Sequence, residues 1–215
     1  MPRIAKKSGT YHHGDLRRAL LDAAVHVVQR DGVAALSLHA LSKKAGVSSG
    51  APYHHFESRE QLLAAIAVEG YERLAAAMKV GADAAAARPR VGETSAQAHL
   101  RGLGRGYVRF ALEHPGHFRV MFRPELKGQL TDEQRAIGAV SFGMLSSAIV
   151  RCQEERTIPA GDPRRFVLLA WSAVHGASVL WIDGSLSDGD LVDGGAEELG
   201  ALVADTLVGV LRRGR

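Results

Sequence analysis

A lone cysteine, Cys152, in a chain of 215 residues has no partner for an internal disulfide and cannot build a cysteine-based zinc site. A reducing, cytoplasmic setting is the expectation. Aromatic residues are scarce at 6% of the sequence, while alanine and leucine abound, a balance that favours helices over sheets. Phe166 to Ile182 is an uncharged run of 17 residues, short of the roughly 20 that a membrane span needs. Ser172, His175, Gly176 and Ser178 interrupt it, so a buried helix is expected instead. No apolar stretch follows Lys6 and Lys7 before the first predicted helix, which argues against a secretory leader. Sequence repeats are missing too, and the only biased tract is a short alanine run.

Signatures of catalysis and of metal binding are also lacking. Ser172 and His175 share one predicted helix and have no carboxylate partner or oxyanion loop, so no enzyme is expected. The pairs His12-His13 and His54-His55 are sequence neighbours whose rings point about 100° apart on a helix, the wrong geometry for one ion. Neither metal nor cofactor is expected. Gly102-Leu-Gly-Arg-Gly106 lacks both the final spacing and the preceding strand of a dinucleotide-binding loop, and reads as close helix packing.

Charge is present, and it is unevenly placed. Residues 1–60 hold nine Lys or Arg against five Asp or Glu, and the remainder holds eighteen of each, so the whole net charge of +4 lies at one end. Six of the ten histidines lie there as well. A basic end on a neutral body points to a polyanion partner for that end. Arg3, Lys6 and Lys7 fit either an arm entering a DNA minor groove or a solvated tail.

Within that end, residues 37–56 read as two short helices around a tight glycine turn, the helix-turn-helix that places a helix in the major groove. Ser37 is a candidate N-cap, Leu38 and Leu41 share a face, and Gly46 stands where a left-handed residue ends the helix. Val47 fills the angle between the helices. The second helix is predicted to start from Ser48 or Ser49, with Pro52 in or just after its first turn. Ser48, Ser49, Gly50 and His54 are the candidates for base contact, and Tyr53, His55 and Arg59 for phosphates. Lys43 and Lys44 end the preceding helix and serve either phosphates or the helix dipole.

The rest of the chain also reads as helices. Leu16, Leu20, Ala24 and Val28 recur at helical spacing before Asp31-Gly32. Ser58 to Gln61 forms a predicted capping box for a fourth helix, with Arg59 in its first turn, and Thr131 to Gln134 forms another. A helix from about Ala96 to His114 is broken at Pro115-Gly116, Asp162-Pro163 opens one reaching Ile182, and a last one covers about 196–212. The fold class expected is all-α, with residues 1–60 as a three-helix helix-turn-helix domain and 61–215 as a helical ligand-binding and dimerisation bundle. Trp171 and His175, one turn apart, fit either a core helix at a subunit interface or the wall of a ligand cavity. In the second case Phe110, Phe118, Met121, Phe122, Phe142 and Met144 join them around an apolar or amphipathic small molecule. A single helix-turn-helix makes few base contacts, so a homodimer is expected, pairing through helices 163–182 and 196–212.

Ala45-Gly46-Val47-Ser48, Tyr53, Phe56, Arg59 and Leu62-Leu63 together resemble the tetracycline-repressor (TetR) family of one-component transcriptional regulators. Tyr11 to Arg17, Phe110 to Pro115 with Phe118, Met121 and Phe122, and Trp171 with His175-Gly176 resemble its subgroup with a Trp-His-Gly type C-terminal domain. The resemblance implies that Phe56 closes the DNA-binding core, that Tyr53 touches phosphate and that Arg59 replaces a more usual lysine. Ala51-Pro52 departs from the family's common pairing of a hydroxyl residue with a larger apolar one, so operator sequence does not carry over. The function implied is a ligand-responsive repressor on a palindromic operator, its fourth helix carrying movement between the two parts. A non-specific DNA-binding protein and a cytosolic small-molecule carrier without an operator are the alternatives.

Overall fold

The structure, a computed structural model, describes residues 13–126, 128–186, 192 and 194–213, and among these every regular element is helical. Arg3, Lys6, Lys7, Tyr11 and His12 lie outside the described residues. Eight α-helices follow one another: α1 (His13–Asp31), α2 (Leu38–Ala45), α3 (Arg59–Ala87), α4 (Ser95–Glu113), α5 (Pro115–Met121), α6 (Asp132–Glu154), α7 (Pro163–Ile182) and α8 (Ala196–Arg213). Short 3-10 turns lie at Val33–Ala35, Ala51–His54 and Pro124–Leu126.

Side chains that serve free N–H groups fix most of the starts. Ser37 accepts from Ala40 N at 3.1 Å, and Ser58 accepts from Gln61 N at 3.1 Å. Thr94 with Gln97 and Thr131 with Gln134 close both arms of a capping box. At Ser58 the return arm reaches one residue further back, because Gln61 accepts from Glu57 N at 2.7 Å. Asp162 accepts from Arg164 N at 3.0 Å, with Pro163 in the first turn of α7, where a missing N–H is harmless. Each such cap contributes about 1 kcal/mol.

The expected third α-helix of the DNA-reading part is instead a 3-10 turn. Tyr53 N donates to the Gly50 carbonyl and His55 N to the Pro52 carbonyl, at 3.1 and 3.0 Å. Pro52 has no N–H to continue an α ladder, and the turn begins at Gly50, which has no side chain to cap it, rather than at Ser48 or Ser49.

Two buried clusters share α3. Leu62, Leu63 and Ile66 close a core with Leu20, Val28, Leu36, Leu41 and Phe56, and Val120 and Leu126 reach into it from beyond α4. Further along α3, Leu74, Met78 and Ala82 join α4, α5, α6, α7 and α8 in a second core. Glycines let α3 and α4 touch backbone to backbone: a Cβ on Gly102 would lie 2.3 Å from the Gly81 carbonyl oxygen, and one on Gly106 would lie 2.5 Å from that of Ala77. Those positions therefore serve helix packing.

α6 and α7 are both long and apolar enough to cross a membrane by length and composition. The expectation that Phe166–Ile182 is a covered helix needs correction. Only Val167, Ala170, Val174 and Ser178 of α7 are buried, while Leu168 is 60% and Leu180 48% exposed. Leu202 and Val210 of α8 are half exposed as well.

Candidate nucleic-acid interface and ligand cavity

α2 ends in a Schellman turn: Gly46 adopts φ 67°, its N–H donates to the Lys43 carbonyl, and Val47 N donates to the Ser42 carbonyl at 3.1 Å. This reversal sends the chain across the end of α2. Pro52 and Phe56 point inward and are buried, so the rest of the segment faces out. Lys43, Lys44, Ser48, Ser49, Gly50, Tyr53 and His54 are all exposed, and His55 is half-buried. These exposed residues make up the candidate rim, and the Arg17 guanidinium lies 5.1 Å from the Phe56 ring centre.

Arg59 sits differently from its neighbours. Its Nε donates to the Leu36 carbonyl at 2.9 Å and one Nη to the Val33 carbonyl at 2.8 Å. The guanidinium therefore ties the start of α3 to the turn before α2, and its remaining Nη lies 3.9 Å from Glu60.

A polar joint links α1, α3 and α5. Glu69 on α3 accepts from Arg18 at 3.0 Å and from Arg73 at 2.8 Å, and His117 Nε2 lies 3.7 Å away. Burial pushes Glu69 up, but Arg73 and Arg18 outweigh it and hold the carboxyl below its usual range. Burial lowers His117 to about 4, so its ring is neutral near pH 7.

Farther from the rim, residues of α3, α4, α6, α7 and α8 enclose a cavity of about 80 Å³. Phe122, Phe142 and Trp171, all predicted, line it, the last two edge to face with ring centres 5.8 Å apart. Phe118 and His175 face a wider cleft of about 320 Å³, and Phe122 stands between the two spaces. The structure does not bring Phe110, Met121 or Met144 to either space. Phe110 lies almost a turn beyond Tyr107 on α4 and is sealed against the His114 ring, 5.3 Å between centres. Met121 fills the notch left by Gly70, and Met144 packs at the edge of the core.

Sequence reasoning missed Tyr71, Tyr107 and Ser141, three hydroxyl-bearing residues among those that line the cavity. Tyr107 shares a 2.8 Å hydrogen bond with His175 Nδ1, and Tyr71 donates to the Met121 carbonyl. Burial raises the Tyr107 phenol and lowers the His175 imidazole, so both are neutral. No charged side chain stands among the described lining residues.

Comparison with known proteins agrees with this architecture. The family described as bacterial regulatory proteins, tetR family, matches residues 20–66, and the tetracyclin repressor-like C-terminal domain matches residues 100–207. A protein of unknown function from Rhodococcus sp. RHA1 is 31% identical, with 96% of this chain and 100% of that one covered at a TM-score of 0.75. The transcriptional regulator FadR from Bacillus subtilis, solved in complex with stearoyl-CoA, shares the fold at 17% identity, a TM-score of 0.67, and 92% and 98% coverage of the two chains. The HTH-type transcriptional regulator YobS of Bacillus subtilis (strain 168) is 32% identical over 105 residues, so the match spans 49% of this chain and half the length of that relative. The chain belongs to the TetR family of bacterial regulatory proteins.

Proposed function

We propose that this chain is a one-component repressor that binds a palindromic operator as a homodimer and is released by a small ligand. One observation carries the reading: the same 29-residue helix, α3, packs Leu62, Leu63 and Ile66 under the helix-turn-helix and lines the cavity with Tyr71, Leu74 and Met78. Ligand and DNA parts thus share one rigid element, which any state-dependent ligand affinity can bias. Residues 1–60 form the reader, with Ser48, Ser49, Gly50 and His54 toward bases and Lys44, Tyr53 and His55 toward phosphates, while Arg59, expected on a phosphate, holds the start of α3 to the Val33 and Leu36 carbonyls. The cavity formed by 61–215 is the effector site.

The exposed apolar faces of α7 and α8 support pairing with a second copy, since both helices carry leucine or valine outward. Related by a twofold axis, two readers then address half-sites one or more helical turns apart. FadR, with the same fold, holds stearoyl-CoA. The 80 Å³ cavity here, without a charged lining residue, favours a smaller effector.

Selection of sheared genomic DNA by the purified protein at near-physiological salt tests this function. Retention of a few fragments that share a palindrome is the expected result. Unselective retention, with a salt dependence set by phosphates alone, would replace it with general DNA binding.

A further inference from the structure

Ser141 lies on α6 and is 8% exposed, and its Oγ has no hydrogen-bond partner. A buried hydroxyl without a partner is uncommon, because it has lost water and gained nothing in return. Helical serines usually escape this by bonding back to a carbonyl of the preceding turn, as Ser178 does to Val174 at 2.7 Å. Ser141 does not, and it lines the cavity. The other two lining hydroxyls are already engaged, Tyr107 with His175 and Tyr71 with the Met121 carbonyl.

The remaining wall is aromatic and aliphatic. Tyr71, Tyr107, Phe122, Phe142 and Trp171 present ring faces and edges, which suit a flat or compact apolar body. An ion placed here would meet no countercharge, since no described lining side chain carries one. The space is also small. A cavity of roughly 150 Å³ holds benzene, and this one measures about 80 Å³. Phe142, one of the lining residues, is half exposed, so the cavity borders solvent on that side.

Resting on the reading of this cavity as the effector site, we propose that it takes an uncharged, compact, mostly apolar molecule bearing one hydrogen-bonding group, and that the Ser141 hydroxyl recognises that group. The ligand class is therefore a small phenol, alcohol or ketone rather than a carboxylate, an amine or a long acyl chain.

Calorimetric titration of the full chain with phenol, toluene and benzoate at pH 7 tests the assignment. Phenol and toluene have nearly the same shape and differ by hydroxyl for methyl, so their ratio isolates the polar contact. Ser141→Ala is expected to shift the phenol-to-toluene preference by about tenfold toward toluene, and Ser141→Thr to retain it. Without ligand, Ser141→Ala is expected to melt a few degrees higher, because an unsatisfied group is gone. Benzoate is expected to bind most weakly. An equal effect of Ser141→Ala on phenol and toluene, or a preference for benzoate, would overturn the assignment and leave the cavity a ligand site. If none of the three binds, the assignment falls with the cavity's role. DNA selection scores the DNA-reading part separately, so a palindrome recovered in that case would stand.

Discussion

Arg119 Nη1 donates to the main-chain carbonyl of Gln29 across 3.0 Å, which fastens α5 to the last turn of α1. Its Nη2 donates to the Ile182 carbonyl at the end of α7, 3.1 Å away. One guanidinium thus joins the DNA-reading part to a helix that lines the cavity. Arg119→Met is expected to lower stability by only about 1 kcal/mol, since both carbonyls lie near water. In operator titrations with and without effector it should shrink the effector's influence, while binding without effector changes little. An unchanged effector response would remove Arg119 from the coupling.

Arg59 and Tyr53 are expected to separate in their effects. Arg59→Ala leaves the Leu36 carbonyl without its side-chain donor, while Val33 keeps only the Leu36 N–H, and should cost about 1–2 kcal/mol in denaturant unfolding. Tyr53 is 54% exposed, so Tyr53→Ala should leave stability within about 0.5 kcal/mol and weaken all DNA sequences alike. Equal unfolding midpoints for the two variants would contradict this.

Glycine positions should divide by what surrounds them. Gly102→Ala and Gly106→Ala push a methyl into the α3 backbone and are expected to cost about 3 kcal/mol or more. Gly143 has open space around it, so Gly143→Ala should gain up to about 1 kcal/mol from helix propensity alone. Thermal melts of the three variants decide the matter.

Leu180 and Leu202 are half exposed on α7 and α8. Leu180→Glu and Leu202→Glu are expected to yield folded monomers in sedimentation, with much weaker operator binding. Leu207 lines the cavity, so Leu207→Glu should unfold the chain rather than merely separate copies. A dimer that survives Leu202→Glu would place the interface elsewhere.

His117 makes stability depend on pH. Its folded value, about 4, is below the ordinary 6.5, so the unfolded chain binds more protons between those limits. The contribution is fully present above pH 6.5 and is lost as pH falls toward 4. From pH 7 to 5 the loss is about 2 kcal/mol. His117→Gln should flatten the melting temperature over that interval, and a slope equal to that of the native chain would reassign it to other groups.

Much of the fold was legible because caps are local. Ser37, Gly46, Thr131 and Asp162 each act on groups within a few residues, so spacing alone reveals them. The 3-10 form of the reading element was not, since the consequence of Pro52 depends on how Phe56 is drawn into the core. Cavity residues were half legible. Phe122, Phe142 and Trp171 are bulky enough to suggest a wall, but Phe110 and Met121 look the same in sequence and face packed neighbours. Ser141 gave no signal, because its isolation arises only when α3, α4, α6 and α7 close around it.

The glycine contact between α3 and α4 makes α3 a cantilever. It is held near Gly81, where two backbones touch, and its far end packs under the helix-turn-helix. From Gly81 to Arg59 the rise of an α-helix gives a lever of about 33 Å. A tilt of about 5° at Gly81 moves the far end by about 3 Å over that length. Half-site spacing in a twofold pair responds to such a displacement twice, once in each copy.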